Sequence, residues 1–183
     1  MSRSANSSLL VNVADLIRRP ASRRAVDVEA PLEEVTVVDS RIPRGSTAIS
    51  HLELESLSDG LVVSGTVTAP WEGLCRRCLK PLTGDLVAQV RELFSHHPVD
   101  EDVYLLTGEQ LDLEPMVRDV LLLELPLAPV CRPDCQGLCP VCGADRNEVD
   151  CGHDDRPVDP RWAGLDALRD ALVERDELEP PGP

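Results

Sequence analysis

His51-Leu-Glu-Leu-Glu-Ser-Leu57-Ser-Asp-Gly60-Leu-Val-Val-Ser-Gly-Thr-Val-Thr68 carries the clearest fold signal in the chain. Its first part alternates apolar with polar residues, the period of a half-buried strand, and turns Leu52, Leu54 and then Leu57 toward a core. Ser58-Asp59-Gly60 is a turn signal and residues 61–68 return as a second strand, so the pair reads as a hairpin.

Outward from the hairpin, residues 25–28, 35–38 and 86–94 are also β-prone, the last with Leu86, Ala88, Val90 and Glu92 on alternate positions. The connections are too short for helical crossovers, so mostly antiparallel pairing is expected. Upstream, residues 9–13 form a short apolar run, and Pro20 ends any helix begun at residues 15–19. Helix begins late. Leu113, Met116, Val117, Val120, Leu121 and Leu123 are spaced for one helical face, with Asp112 as N-cap, Pro115 in the first turn, and Pro126 and Pro129 ending it. A second helix is expected after Asp159-Pro160, burying Trp162, Leu165, Leu168 and Leu172; an acidic, proline-rich and disordered tail over 174–183 follows it.

Composition bounds the function. Hydrophobic residues make up 42% and charged residues 28%, a globular balance, and the only aromatics are Trp71, Phe94, Tyr104 and Trp162. No run approaches the roughly 20 apolar residues that cross a bilayer. Residues 1–10 do not read as a signal peptide, so a cytoplasmic chain with reduced thiols is expected. The net charge of −15 disfavours broad contact with nucleic acid. That charge is uneven: residues 1–24 carry five arginines against Asp15, whereas residues 143–183 carry twelve acids against five arginines. Any RNA contact would fall to Arg18, Arg19, Arg23 and Arg24, or to Arg76, Arg77 and Lys80.

The seven cysteines fall in clusters: Cys75-Arg-Arg-Cys78, Cys131-Arg-Pro-Asp-Cys135, and Cys139-Pro-Val-Cys142-Gly with Cys151-Gly-His153 beyond it. A Cys-x-x-Cys turn offers two sulfurs to one tetrahedral ion at about 2.3 Å. Eight soft or borderline donors make two four-ligand zinc sites. An odd cysteine count in a reducing compartment argues against disulfides. A redox Cys-x-x-Cys expects a helix after the motif, but Leu79-Lys80-Pro81-Leu82 reads as a turn. The deaminase signature needs His-x-Glu upstream, and the one candidate, His51-Leu52-Glu53, lies on a strand. Two closed sites leave no vacancy for catalytic zinc, so no enzyme is expected. The sequence allows two divisions. Favoured is Cys75, Cys78, Cys131 and Cys135 for one ion and Cys139, Cys142, Cys151 and His153 for the other, because the second set closes locally. The rival joins Cys75/Cys78 with Cys139/Cys142.

The expected architecture is therefore α+β: an antiparallel β-sheet with a packing helix and a C-terminal cysteine-rich zinc module. Residues 1–125 form the strand-rich part with its helix. Residues 126–158 form the zinc module, closed by Cys75 and Cys78, and residues 159–183 the C-terminal helix and tail.

In Cys75-Arg-Arg-Cys78-Leu-Lys-Pro-Leu82, in 112–126 leading to Pro129-Val-Cys131, in Asp134-Cys135 with Gly137-Leu-Cys139-Pro-Val-Cys142-Gly143, and in Asp159-Pro-Arg-Trp162-Ala-Gly-Leu165, the chain resembles the YceD family, the large ribosomal RNA subunit accumulation proteins. It departs at Asp145-Arg146-Asn147, where many relatives carry Asn-Leu-Asn, and at Cys151-Gly-His153, where they carry Cys-x-Cys. The second site becomes Cys₃His. The resemblance implies a non-enzymatic role in accumulation or processing of large-subunit (23S) ribosomal RNA. With the net charge, it leads us to expect a protein adaptor whose partner is a basic ribosomal protein or assembly factor, with rRNA contact at most indirect. Direct RNA binding and a zinc- or thiol-dependent enzyme are the alternatives.

Overall fold

Period-two alternation carries through the central strands of the structure, a computed structural model that describes residues 7–153 together with Gly164 and Leu165. Two compact units divide the chain, residues 1–135 and 136–183.

In the first unit, β2 (Arg23–Pro31) pairs antiparallel with β5 (Thr47–Leu57), and β5 with β6 (Gly60–Leu74) across a two-residue turn at Ser58-Asp59. β5 buries Ala48, Ser50, Leu52, Leu54 and Ser56. Leu57, expected inward, is 43% exposed: strict alternation gives the inner position to Ser56 and turns the next residue out. β6 pairs along its whole length with β7 (Pro81–Ser95). It outruns β5, and past Thr68 its edge takes β4 (Ser40–Ile42), which in turn pairs with β3 (Val35–Thr36). These pairings are antiparallel; β8 (Tyr104–Leu105) joins β7 in parallel. Gly65 at mid-β6 has φ +144°, and a Cβ there would strike the carbonyl oxygen of His51, so only glycine lets β5 and β6 close.

The apolar run near the N-terminus splits into a 3₁₀ turn (Ser7–Leu9) and β1 (Leu10–Asn12), which pairs with β9 (Gln110–Asp112). A four-residue helix α1 (Ala14–Ile17) follows β1 and ends before Pro20. Helix α2 (Glu114–Glu124) buries Met116, Val117, Val120 and Leu121 and packs on β7 and β6. Its N-cap position is Leu113 rather than Asp112, yet the Asp112 carboxylate accepts the Glu114 N–H at 3.0 Å, a capping bond from one residue further out. Leu123, expected on the buried face, is 84% exposed; the chain leaves the helix at Leu125, which packs into the core instead. The helix expected after Asp159-Pro160 lies outside the described residues except for Gly164 and Leu165. These two are helical, with Leu165 51% exposed against the expectation that it is buried. No helix among the described residues is long and apolar enough to cross a membrane.

Phe94 anchors the aliphatic core. It is fully buried on β7 and stacks on Tyr104 with ring centroids 5.0 Å apart. Phe94→Ala is expected to cost about 3–5 kcal/mol, read as a lowered urea midpoint for the first unit, because the sheet and α2 cannot collapse into the vacated volume. A midpoint unchanged from the parent protein would contradict that assignment of the core.

Candidate metal centres

The turn between β6 and β7 is built to bring two sulfurs together. The Cys75 N–H donates to the Lys80 carbonyl and the Leu79 N–H to the Cys75 carbonyl, each at 2.8 Å. Leu79 takes a left-handed φ of 59°, a conformation that costs a non-glycine residue about 1–2 kcal/mol. Below the turn runs the segment that leaves α2. Ser40 Oγ donates to the Pro126 carbonyl at 2.6 Å, and the Arg76 N–H to the Pro129 carbonyl at 2.8 Å. The Arg77 guanidinium reaches the carbonyls of Pro133 and Cys135, both at 3.0 Å. These ties bring Cys131 and Cys135 against the turn.

Cys75 Sγ lies 3.9 Å from Cys135 Sγ, Cys78 Sγ lies 3.7 Å from Cys131 Sγ, and all four sulfurs are within 4.8 Å of one another. A disulfide needs about 2.05 Å. A tetrahedron with metal–sulfur bonds of about 2.3 Å has edges of about 3.8 Å, so the donors fit one ion. Cys75, Cys78 and Cys135 are buried, and Cys131 is exposed.

The titration of the sulfurs shows why they want a cation. Burial pushes the Cys75 thiol up, but the N–H groups of Cys78, Cys131 and Arg77 outweigh it and bring it down to about 6. Cys131 is pushed up to about 12, first by the thiol of Cys135, then by burial and by Cys78 and Cys75. At Cys78 the Lys80 N–H favours the thiolate, but burial and the sulfurs of Cys75 and Cys135 prevail and raise it. Cys75 ionises readily and Cys78 and Cys131 then resist, which is how convergent thiols behave until a positive ion neutralises them.

The second unit gathers Cys139, Cys142, Cys151 and His153, whose ligand atoms also lie within 4.8 Å of one another. Its knuckle turns at Gly143 (φ 74°), with the Gly143 N–H donating to the Cys139 carbonyl and the Cys139 N–H to the Ala144 carbonyl, both at 2.8 Å. Asp145 and Asn147, at the departure from the family pattern, hold the next loop: Asn147 donates to Asp145 Oδ1 through its backbone at 2.9 Å and its amide at 2.6 Å. The Arg146 guanidinium donates to the His153 carbonyl at 3.0 Å. Cys139 is buried, Cys151 half-buried, and Cys142 and His153 exposed. The Cys151 thiol is lowered, mainly by the His153 N–H. Cys142 is raised: the Ala144 N–H pulls it down, but the Cys139 sulfur and burial win. Two clusters that can hold metal ions are therefore present, with the members of the locally closing division.

Several residues raised as RNA contacts have other partners. Arg18 pairs with Glu109 at 2.8 Å, Arg23 with Glu55 at 3.1 Å, and Arg24 with Asp15 at 2.8 Å. Arg77 holds the first metal cluster, a role that no local pattern reveals because its acceptors lie more than fifty residues on. His51 sits on β5 with its ring against Asp27 at 2.7 Å and belongs to neither cysteine cluster. His96 is half-buried, and its ring Nδ1 meets the Leu106 carbonyl at 3.0 Å.

Comparison with known proteins adds relatives. The family model described as "Large ribosomal RNA subunit accumulation protein YceD" matches residues 63–169. An uncharacterized protein of Mycobacterium tuberculosis is 39% identical over 171 residues, covering 87% of this chain and 80% of its own length. YlbN of Bacillus subtilis is 26% identical over 165 residues, covering 85% of this chain and 94% of its own. A chloroplastic Arabidopsis thaliana protein named large ribosomal RNA subunit accumulation protein YCED homolog 1 is 29% identical over 72 residues, 38% of this chain and 22% of its own. No solved structure matches.

Proposed function

The chain belongs to the YceD family of large ribosomal RNA subunit accumulation proteins, and from that premise we propose that it is a zinc-stabilised, non-enzymatic adaptor in ribosome biogenesis that supports accumulation of large-subunit rRNA by binding a basic ribosomal protein or assembly factor in the cytoplasm. The supporting observation is that all eight donors divide into two sets of four, which two structural zinc ions would close with no position left for substrate. Bound zinc would supply the positive charge that convergent thiolates require and would cross-link distant chain segments. Protein contact is favoured over RNA by the net charge of −15 and by the carboxylates that already hold Arg18, Arg23 and Arg24.

Affinity purification from cells, with and without RNase, tests the adaptor role. Ribosomal proteins are expected to persist after RNase treatment; their complete loss would favour direct RNA binding. Elemental analysis of protein never exposed to acid or chelator is expected to return two zinc ions per chain, and well under one would end the zinc reading.

A further inference from the structure

Among the described residues, β7 leaves one edge of the sheet open. Its even-numbered residues turn their backbone toward β6, as the bond from the Cys75 N–H to the Lys80 carbonyl shows at one end. The odd-numbered ones turn theirs away, as the bond from the Leu106 N–H to the Ser95 carbonyl shows at the other. β8 takes that outer edge only at Phe94 and Ser95. From Thr83 to Leu93 no backbone hydrogen bond among the described residues reaches it. Thr83, Asp85, Val87, Gln89, Arg91 and Leu93 therefore present unpaired N–H and C=O groups, and their side chains are exposed. The other two ends of the sheet are protected: β2 carries Arg23, Arg24, Asp27 and Glu29 and ends in Pro31, and β3 is only Val35–Thr36. Residues 82–93 contain neither proline nor lysine, and the β6–β7 register runs through them without a bulge. A long edge of that kind is a template for another strand.

We propose that the strand it takes is β7 of a second copy of the chain, antiparallel about a two-fold axis at Ala88. Backbone geometry restricts the pairing, because only odd-numbered residues offer edge groups and so odd must face odd. Charge then selects one register. With Ala88 opposite its counterpart, Asp85 of each copy faces Arg91 of the other, Val87 faces Gln89, and Thr83 faces Leu93. Moving the axis to Val87 sets Asp85 against Gln89 and brings Pro81, which has no N–H, into the ladder. Moving it to Gln89 sets Asp85 against Leu93 and Arg91 against Val87. Among the described residues neither Asp85 nor Arg91 has an ion-pair or hydrogen-bond partner, so each is available to the other copy. Opposite charges directly across two strands stabilise the pair, and like charges do the reverse. A two-fold axis makes every contact twice, so one edge is complementary to itself. The ladder ends at Leu93, where β8 takes over the edge, and the two sheets join into one.

The test is sedimentation equilibrium of the full-length chain and of two charge reversals. The parent is expected to run as a dimer that dissociates on dilution. Asp85→Arg and Arg91→Asp should each weaken association at least about tenfold, since each sets two like-charge pairs across the axis. Mixed in equal amounts, the two variants should form a heterodimer with the parent's affinity, because both pairs are then opposite in sign. Both positions are exposed, so zinc content and circular dichroism should match the parent. Hydrogen exchange on the parent gives a readout that needs no variant. Between dilute and concentrated protein the amides of Val87 and Gln89 should gain protection, whereas those of Ala88 and Val90, bonded to β6, are protected at both. A chain that stays monomeric at every concentration overturns the proposal. Association unchanged in both variants does so too, as do variants that fail to associate on mixing, or edge amides whose exchange ignores concentration.

Discussion

Replacing Cys151 by serine is expected to release one zinc ion and unfold residues 136–153 while leaving the sheet intact. Among the described residues of the second unit only Gly137 and Cys139 are buried, so no apolar core holds it. Its order rests on turn hydrogen bonds such as Cys139 N–H to Ala144 O, worth about 1 kcal/mol each net. Ordering this segment's backbone costs on the order of 20 kcal/mol. Structural zinc, worth about 10–16 kcal/mol in small modules, is the one contribution large enough to offset most of that. Hydrogen exchange should therefore show the amides of residues 136–153 unprotected in Cys151→Ser. Bound zinc should fall from two to one, and the thermal midpoint of the first unit should stay where it was. Retention of both ions, or a fall in that midpoint, would show that the second set is not an independent site.

Cys78→Ser should act on the other unit and with a different signature. The first set joins Cys75 and Cys78 to Cys131 and Cys135, so its ion would cross-link segments more than fifty residues apart, the β6–β7 turn and the chain leaving α2. Closing so long a loop removes about 1 kcal/mol more unfolded-chain entropy than closing the second site. The larger loss is the buried metal itself, since serine is a poor zinc ligand and leaves the three sulfurs of Cys75, Cys131 and Cys135 to converge without a full ligand set. The aliphatic core on β5, β6, β7 and α2 survives, so the sheet should still fold, though less stably. A loss of at least 3 kcal/mol corresponds to roughly 10 °C in the midpoint of a unit this size. Bound zinc should again fall to one, but here the midpoint should drop while residues 136–153 keep their protection. An unchanged midpoint would mean that the four thiols pack without holding an ion.

These opposite signatures trace back to what was legible in the residues. The alternation of His51–Leu57, the turn at Ser58-Asp59 and the apolar spacing from Leu113 to Leu121 were readable because strand and helix periods are local properties of the backbone. Leu57 and Leu123 depart from those periods at the ends of their elements, where a side chain's fate depends on whether the partner element extends that far. The cysteine spacings likewise announced metal chemistry, because a two-residue gap presents two sulfurs to one ion whatever surrounds it.

Local spacing thus sets the element types, most of the inward faces, and the eight donors. Each follows from spacings within about ten residues. Long-range pairing alone fixes that β4 takes the edge of β6 that β5 vacates, that Arg77 serves the Pro133 and Cys135 carbonyls, and that Trp71 lies over Gly84. Those outcomes depend on which distant segments pair once their apolar faces are buried. Strand alternation says which side chains point inward, but burial energy is non-directional and names no partner.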